Sequence, residues 1–309
     1  GCAGDSDAGK KRLPIVRGGS LYTIVDGPSW TEAKQIADAT GGYLASITSE
    51  EEFNFLHEKG FKGWIGLSDP SNNGPINSDG SRDGWGREDF KWESGEEYRI
   101  EAWMQPVFNS DGNYVHFWDG HGGNTVLVAT DEDLSTDSNA TWWEGKGIAE
   151  IPFIRRGDSA YVIVEGPTWE EAEANANAIG GHLVTINDEE ENEWIVDSYL
   201  SPNARNYFIG ATDQDSEGIW AWTSGGRFEY SNWFDGEPNN ADGGEDYSVI
   251  SGAPQDTSRY GFWNDTKGVD PEFGIAEIPL VPNNAPTGTP ILTGDFKVGQ
   301  TISIIWFAI

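Results

Sequence analysis

Trp233-Phe-Asp-Gly-Glu-Pro-Asn-Asn240, then Gly244-Glu-Asp-Tyr247, then Phe262-Trp-Asn-Asp265 is the stretch on which the reading of this chain turns. Within it, Glu237, Asn239, Glu245, Asn264 and Asp265 offer three carboxylates and two carboxamides, with neither thiol nor imidazole among them. Oxygen-only donors suit a hard cation such as Ca²⁺, which takes six to eight oxygens in flexible geometry. Zinc and copper favour Cys and His and fit poorly. Pro238 matters too, because an X-Pro bond takes the cis form at small cost and a cis turn can aim both flanking side chains the same way.

The same chain repeats itself. Leu21-Tyr-Thr-Ile-Val-Asp-Gly-Pro-Ser-Trp30 returns as Ala160-Tyr-Val-Ile-Val-Glu-Gly-Pro-Thr-Trp169, and Gly41-Gly-Tyr-Leu returns as Gly180-Gly-His-Leu, both after 139 residues. Trp64-Ile-Gly-Leu67 matches Phe208-Ile-Gly-Ala211, and Gly147-Ile-Ala-Glu-Ile-Pro152 matches Gly274-Ile-Ala-Glu-Ile-Pro279. Two homologous modules are therefore expected, at 18–153 and 158–280, after a polar tail over 1–17. Each opens with a strand, Tyr22 to Val25 or Tyr161 to Val164. Ser29 or Thr168 then reads as a helix N-cap, and Gly41-Gly42 or Gly180-Gly181 as the stop signal. A second helix begins at Ser49 or Asp188, with three glutamates in its first turn. Short aromatic strands and long polar loops follow, an α+β layout.

These residues resemble the carbohydrate-recognition domain of C-type lectins, over both modules. In that family Glu-Pro-Asn, a later Glu and Trp-Asn-Asp hold one Ca²⁺ that also binds two vicinal sugar hydroxyls. By position the resemblance implies Glu237, Asn239, Glu245, Asn264 and Asp265 as shared metal and sugar ligands. Each side chain has a second polar atom for a sugar hydroxyl. Glu-Pro-Asn is similar to the mannose-type subset, which puts mannose, fucose and N-acetylglucosamine ahead of galactose. An auxiliary calcium site is implied at Asp213, Glu217, Asn240 and Asp246, with Glu245 shared and Asn240 standing where an Asp is common; the bland alternative is solvated loop acids.

The departures are instructive. Animal lectin domains tie the first helix to the last strand by a disulfide, and the matching positions here are Ala37 with Ala149 and Ala176 with Ala276. Tyr247 stands where a second bridge would begin. Cys2 is the one cysteine, so no intrachain disulfide can form. A secreted protein of this kind is expected to be of bacterial or phage rather than animal origin, with calcium ordering the loop. Module one lacks the site: Gln105-Pro106-Val107 replaces the tripeptide, Glu144 is what remains of Trp-Asn-Asp, and Asp69 alone matches Asp213. Its Asn77–Asp83 run lacks the turn glycine and closing Glu of an EF-hand loop and reads as solvated.

His116 and His121, near Asp111 and Asp119, give a weak zinc signal; His57 reads as exposed and His182 as ordinary core. No catalytic constellation is visible, so an enzyme is not expected. The formal charge of −33, from 52 acidic and 19 basic residues, excludes nucleic acid and disfavours anionic membranes. Residue 1 is not Met, and 281–309 reads as a Pro/Thr linker opening a β-rich segment that resembles Ig-like repeats of large bacterial surface proteins. Ile302 to Ile309 is too short to span a bilayer. The resulting expectation is a calcium-dependent, glycan-binding part of a larger extracellular adhesin, secreted or on the cell surface. The alternative is a lectin-like fold binding a protein partner or ice, with calcium structural.

Overall fold

A computed structural model describes residues 14–69, 90–97, 114–119, 125–130, 145–201, 205–241, 243–252, 258–269 and 271–280. The chain begins with β1 (Ile15–Arg17) and β2 (Ser20–Asp26), then α1 (Trp30–Ala39), β3 (Tyr43–Leu44), α2 (Glu50–Glu58) and β4 (Gly63–Ser68). β5 (Lys91–Trp92), β6 (Tyr114–Asp119), β7 (Thr125–Thr130) and β8 (Lys146–Pro152) complete the first sheet. The second sheet is built from β9 (Ile154–Arg156), β10 (Ser159–Glu165), β11 (His182–Leu183), β12 (Tyr207–Thr212), β13 (Ala221–Trp222), β14 (Tyr247–Ile250), β15 (Trp263–Thr266) and β16 (Phe273–Pro279). Between β10 and β12 lie α3 (Trp169–Ala178) and α4 (Glu189–Ile195), the latter running on into a π-helical turn over Val196–Leu200. Ile15–Arg17 falls in the segment expected to be tail, yet pairs with β2; its alternation of apolar and polar residues is too short to mark a strand in the sequence.

The two sheets have one connectivity. The first runs β1-β2-β8-β4-β6-β7 and the second β9-β10-β16-β12-β14-β15. In each, the opening and closing strands pair antiparallel along their whole length, Ser20 with Pro152 and Ser159 with Pro279. The next strand, β4 or β12, joins the closing strand in parallel.

The helices begin where their caps dictate. Ser29 and Thr168 each accept from the N3 backbone, and Glu32 and Glu171 return the bond, forming capping boxes. Ser49 and Asp188 cap the second helices through the N–H of Glu52 and Glu191. Each first helix then docks by its leading tryptophan: Trp30 Nε1 donates to Ile65 O and Trp169 Nε1 to Ile209 O, both at 2.8 Å. Ala37, Ala149, Ala176 and Ala276 are all fully buried in a single apolar cluster, so packing joins helix to closing strand.

Beside that cluster, each half buries a carboxylate on a tyrosine. Glu191 accepts from Tyr161 Oη at 2.9 Å and pairs with Arg156 at 3.1 Å; Glu52 accepts from Tyr22 Oη and lies 3.6 Å from Arg17. Buried charge is retained here because it is paired and hydrogen-bonded. His116 is also buried, its ring edge-on to Trp64, and burial lowers its pKa to about 4, so it is a neutral core residue. His57 is half-buried on α2 rather than exposed. His121, Asp111 and the Asn77–Asp83 run lie outside the described residues, as do Gln105, Glu144, Cys2 and the expected Ig-like segment over 281–309. No described helix is long and apolar enough to cross a membrane.

Candidate metal and ligand site

The long loop between β13 and β14 is pinned to the second sheet by Trp263. Trp222, Tyr230 and Trp233 stand edge-on to its ring, with centroids 5.6–5.7 Å away. Its Nε1 donates to Asn192 Oδ1 at 2.8 Å, and Asn192 Nδ2 donates to Gly261 O at 3.1 Å. The backbone is stitched in the same place: Phe234 N donates to Trp263 O and Trp263 N to Asn232 O. A fully buried Trp with a satisfied indole is a rigid anchor, and it fixes the two residues that follow it. In β15, Asn264 stands opposite Val249 and Asp265 opposite Ser248.

Asp265 is the hub. It is 1% exposed, and its two oxygens accept from Asn239 N at 3.1 Å and Asn240 N at 2.7 Å. The Glu237–Pro238 peptide between loop and hub is cis. Glu237 receives the Asn239 carboxamide on Oε2 and Arg259 Nη1 on Oε1 at 3.4 Å. The same Nη1 lies 3.3 Å from Asn264 Oδ1. Glu237, Asn239, Asn264 and Asp265 are thus linked through direct hydrogen bonds. Glu245 accepts from Ala241 N at 2.7 Å instead, yet stands close enough for its charge to act on Glu237. Burial and then the Asp265 charge hold the Glu237 carboxyl above its ordinary pKa; Arg259 pulls it the other way, and Glu245 adds to the rise.

The second set of expected ligands braces the loop. Asn240 has φ of 46°, a left-handed conformation that Asn tolerates. Its Oδ1 accepts from Gly244 N at 2.6 Å and Glu245 N at 3.1 Å, and its Nδ2 donates to Glu217 at 2.6 Å. The oxygen of that carboxamide is engaged within the loop, and its nitrogen ties the loop to Glu217 in the β12–β13 connection. Asp213 is 3% exposed; Oδ2 accepts from Gly218 N at 2.7 Å, while Oδ1 is buried with no hydrogen-bond partner. Asp246 joins it through the backbone, its carbonyl accepting from Asp213 N and Thr212 Oγ1.

Does this arrangement fit a calcium ion? Among the described residues no three His, Cys, Asp or Glu side chains already close on one point. The donor chemistry does fit. The five positions are all oxygen-bearing, and after burial the charges of Asp265 and Glu245 raise the Glu237 pKa. The orphaned Asp213 Oδ1 is a further acceptor of the kind a cation satisfies. Loading requires Asn239 to turn its oxygen rather than its nitrogen toward Glu237. Arg259 and Asn192 are the functional neighbours that sequence reasoning missed: neither belongs to a spacing pattern, and only folding brings them to the loop.

The family model for the Lectin C-type domain matches residues 165–270, which span this loop and both halves of the site. The chain is 39% identical over 80 residues to a perlucin-like protein of Mytilus galloprovincialis, covering 25% of this chain and 51% of that protein. It is 35% identical over 123 residues to a C-type lectin of Micrurus corallinus, covering 38% of this chain and 74% of that protein. A cow CD23 carbohydrate-recognition domain solved in the presence of a GlcNAc2Man3 oligosaccharide aligns at 29% identity and TM-score 0.36, over 41% of this chain and 92% of that one. The chain spans about half the length, or less, of the first curated relatives it matches. With the domain matched across the loop, and a relative matched over nearly three-quarters of its own length, the chain belongs to the C-type lectin family.

Proposed function

We propose that this protein is a non-enzymatic, calcium-dependent carbohydrate binder whose site is the loop-and-strand cluster of the C-terminal half. The observation that carries it is the convergence of Glu237, Asn239, Asn264 and Asp265, with Glu245 adjacent, on one edge of a sheet braced by Trp263. Those five side chains would hold the ion, with Asp213, Glu217 and Asp246 at the auxiliary position and Asn240 bracing between them. The ion supplies a Lewis-acidic centre for two vicinal sugar hydroxyls. The chain's own part is to orient those hydroxyls: a carboxylate accepts from one hydroxyl, and an Asn NH₂ donates to the other's oxygen. Glu at 237 and Asn at 239 favour the mannose, fucose and N-acetylglucosamine class.

The repeated sheet connectivity supports reading the chain as two tandem modules, near 18–153 and 158–280, with the first a scaffold. In that module Asp69 is buried at the position of Asp213. A glycan-binding role fits an extracellular, secreted or surface-attached adhesin. The relatives named above are animal proteins, and a bacterial source rests only on the missing cysteine pairs and the sequence resemblance of 281–309 to Ig-like repeats.

The test is retention of the chain on mannose-agarose with Ca²⁺. Elution by free mannose and by EGTA is expected. Retention that EGTA does not reverse, or none with Ca²⁺ present, would overturn the reading. A second result follows from the same geometry: Glu237→Gln with Asn239→Asp exchanges the donor and acceptor ends presented to the sugar. That double variant is expected to keep calcium and shift preference toward galactose by at least about tenfold, roughly one well-placed hydrogen bond. An unchanged mannose-to-galactose ratio in competition would remove these residues from the sugar contact.

A further inference from the structure

Two of the five ligand positions already have a charged partner. Arg259 Nη1 lies 3.4 Å from Glu237 Oε1 and 3.3 Å from Asn264 Oδ1, while Asp265 and Glu245 accept from backbone N–H groups, which bring no net charge. The guanidinium centre stands 4.4 Å from the Phe234 ring centroid, and the side chain is 42% exposed against 5% for Glu237. Beside it opens a cavity of about 140 Å³, lined by Phe234, Val249, Ser251, Phe262, Asn264 and Arg259 itself. An arginine keeps its charge at any pH the protein meets.

We infer that Arg259 is a built-in competitor for the cation, and that it sets the calcium affinity of the site. The inference rests on the calcium-dependent reading above. A divalent ion that takes Glu237 Oε1 and Asn264 Oδ1 must displace the guanidinium from both oxygens. The displaced group has somewhere to go, since Arg259 lines the adjoining cavity and already lies over the Phe234 ring, a cation–π contact it can keep as it swings off the two oxygens. It cannot go far. The same backbone tether keeps a positive charge within a few ångströms of the ion, and the repulsion persists in the loaded site. The site therefore answers to calcium at concentrations above those its oxygens alone would require.

The experiment is calcium titration by calorimetry on the full chain and on Arg259→Met, with melting in EGTA as the folding control. One unit charge beside a divalent ion about 5 Å away in water corresponds to roughly tenfold in affinity, so Arg259→Met is expected to bind calcium about tenfold more tightly. Arg259→Gln, equally neutral but still able to donate to both oxygens, should gain nearly as much, and it carries the test if the Met variant misfolds. Calcium affinity equal to or weaker than that of the unmodified chain in the folded neutral variant would overturn the inference, showing that Arg259 orders the ligands or stands by. Such a result leaves the proposed function intact. A chain that takes up no calcium with or without Arg259 overturns both.

Discussion

Asp265→Ala is expected to abolish calcium uptake and to lower stability in EGTA by about 2–4 kcal/mol. The magnitude follows from what the carboxylate does in the protein itself. It is buried, and it accepts two backbone hydrogen bonds from consecutive residues of the loop, Asn239 and Asn240. Hydrogen bonds to a charged acceptor contribute about 1.5–3 kcal/mol each, and their loss leaves two N–H groups without partners. Some of that is returned, because Asp265 also raises the pKa of Glu237, and removing it relieves their repulsion. Asp265→Asn separates the two roles. It keeps the shape and one acceptor oxygen while its NH₂ faces the other backbone N–H, so stability in EGTA should fall by about 1.5–2 kcal/mol, less than for Ala. Losing the charge should still weaken calcium binding by about a hundredfold, since a carboxylate contributes both charge and ligand to a hard cation. Urea unfolding with EGTA and with calcium measures both quantities. Were Asp265→Asn to keep a calcium-dependent stabilisation equal to that of the unmodified chain, the ion would not be held at this hub.

The parts of this molecule legible in its sequence are those set by local chemistry. Ser29, Thr168, Ser49 and Asp188 announce helix starts because a short oxygen-bearing side chain satisfies backbone donors just there, and all four do so in the structure. The 139-residue repeat is accompanied by two sheets of one strand order, since similar patterns bury similar faces. The clustering of Glu237, Asn239, Asn264 and Asp265 was legible only through the resemblance to a family; spacing alone leaves residues 237 and 265 separate. What stayed hidden depends on contacts between distant segments. Nothing local marks Arg259 for Glu237, or Asn192 for Trp263, across 71 residues. Asn240 falls at the auxiliary site by the family resemblance, at a position where Asp is common; its left-handed backbone turns its oxygen onto the Gly244 and Glu245 amides. Which surfaces of the two halves meet was hidden in the same way, because a glycine stop signal says where a helix ends and not what lies against it.

The contact between the halves gives the other large expected effect. Gly41 ends α1 with φ of 84°, and a Cβ there would lie 2.1 Å from the carbonyl oxygen of Ile163, in β10 of the second sheet. β9 covers β10 only as far as Tyr161, and Gly41 comes up against the strand beyond that point. Ala33 and Ala37 of α1 share one buried apolar cluster with Ala160, Val162 and Val164 of β10. Gly41→Ala therefore adds two costs: a left-handed alanine, about 1 kcal/mol, and a steric conflict with a backbone held in a sheet, typically another 1–3 kcal/mol. Gly60 isolates the first cost, since its φ is 68° and no atom lies within 4 Å of where its methyl would stand. Gly60→Ala should lose only the strain energy and melt in one transition. Gly41→Ala should lose at least about 1 kcal/mol more, or relieve the conflict by parting the halves, which calorimetry would register as two transitions in place of one. If both variants lost the same stability, within about half a kcal/mol, the approach of Gly41 to β10 would carry no energy. The first half would then be a neighbour of the candidate site rather than part of its support.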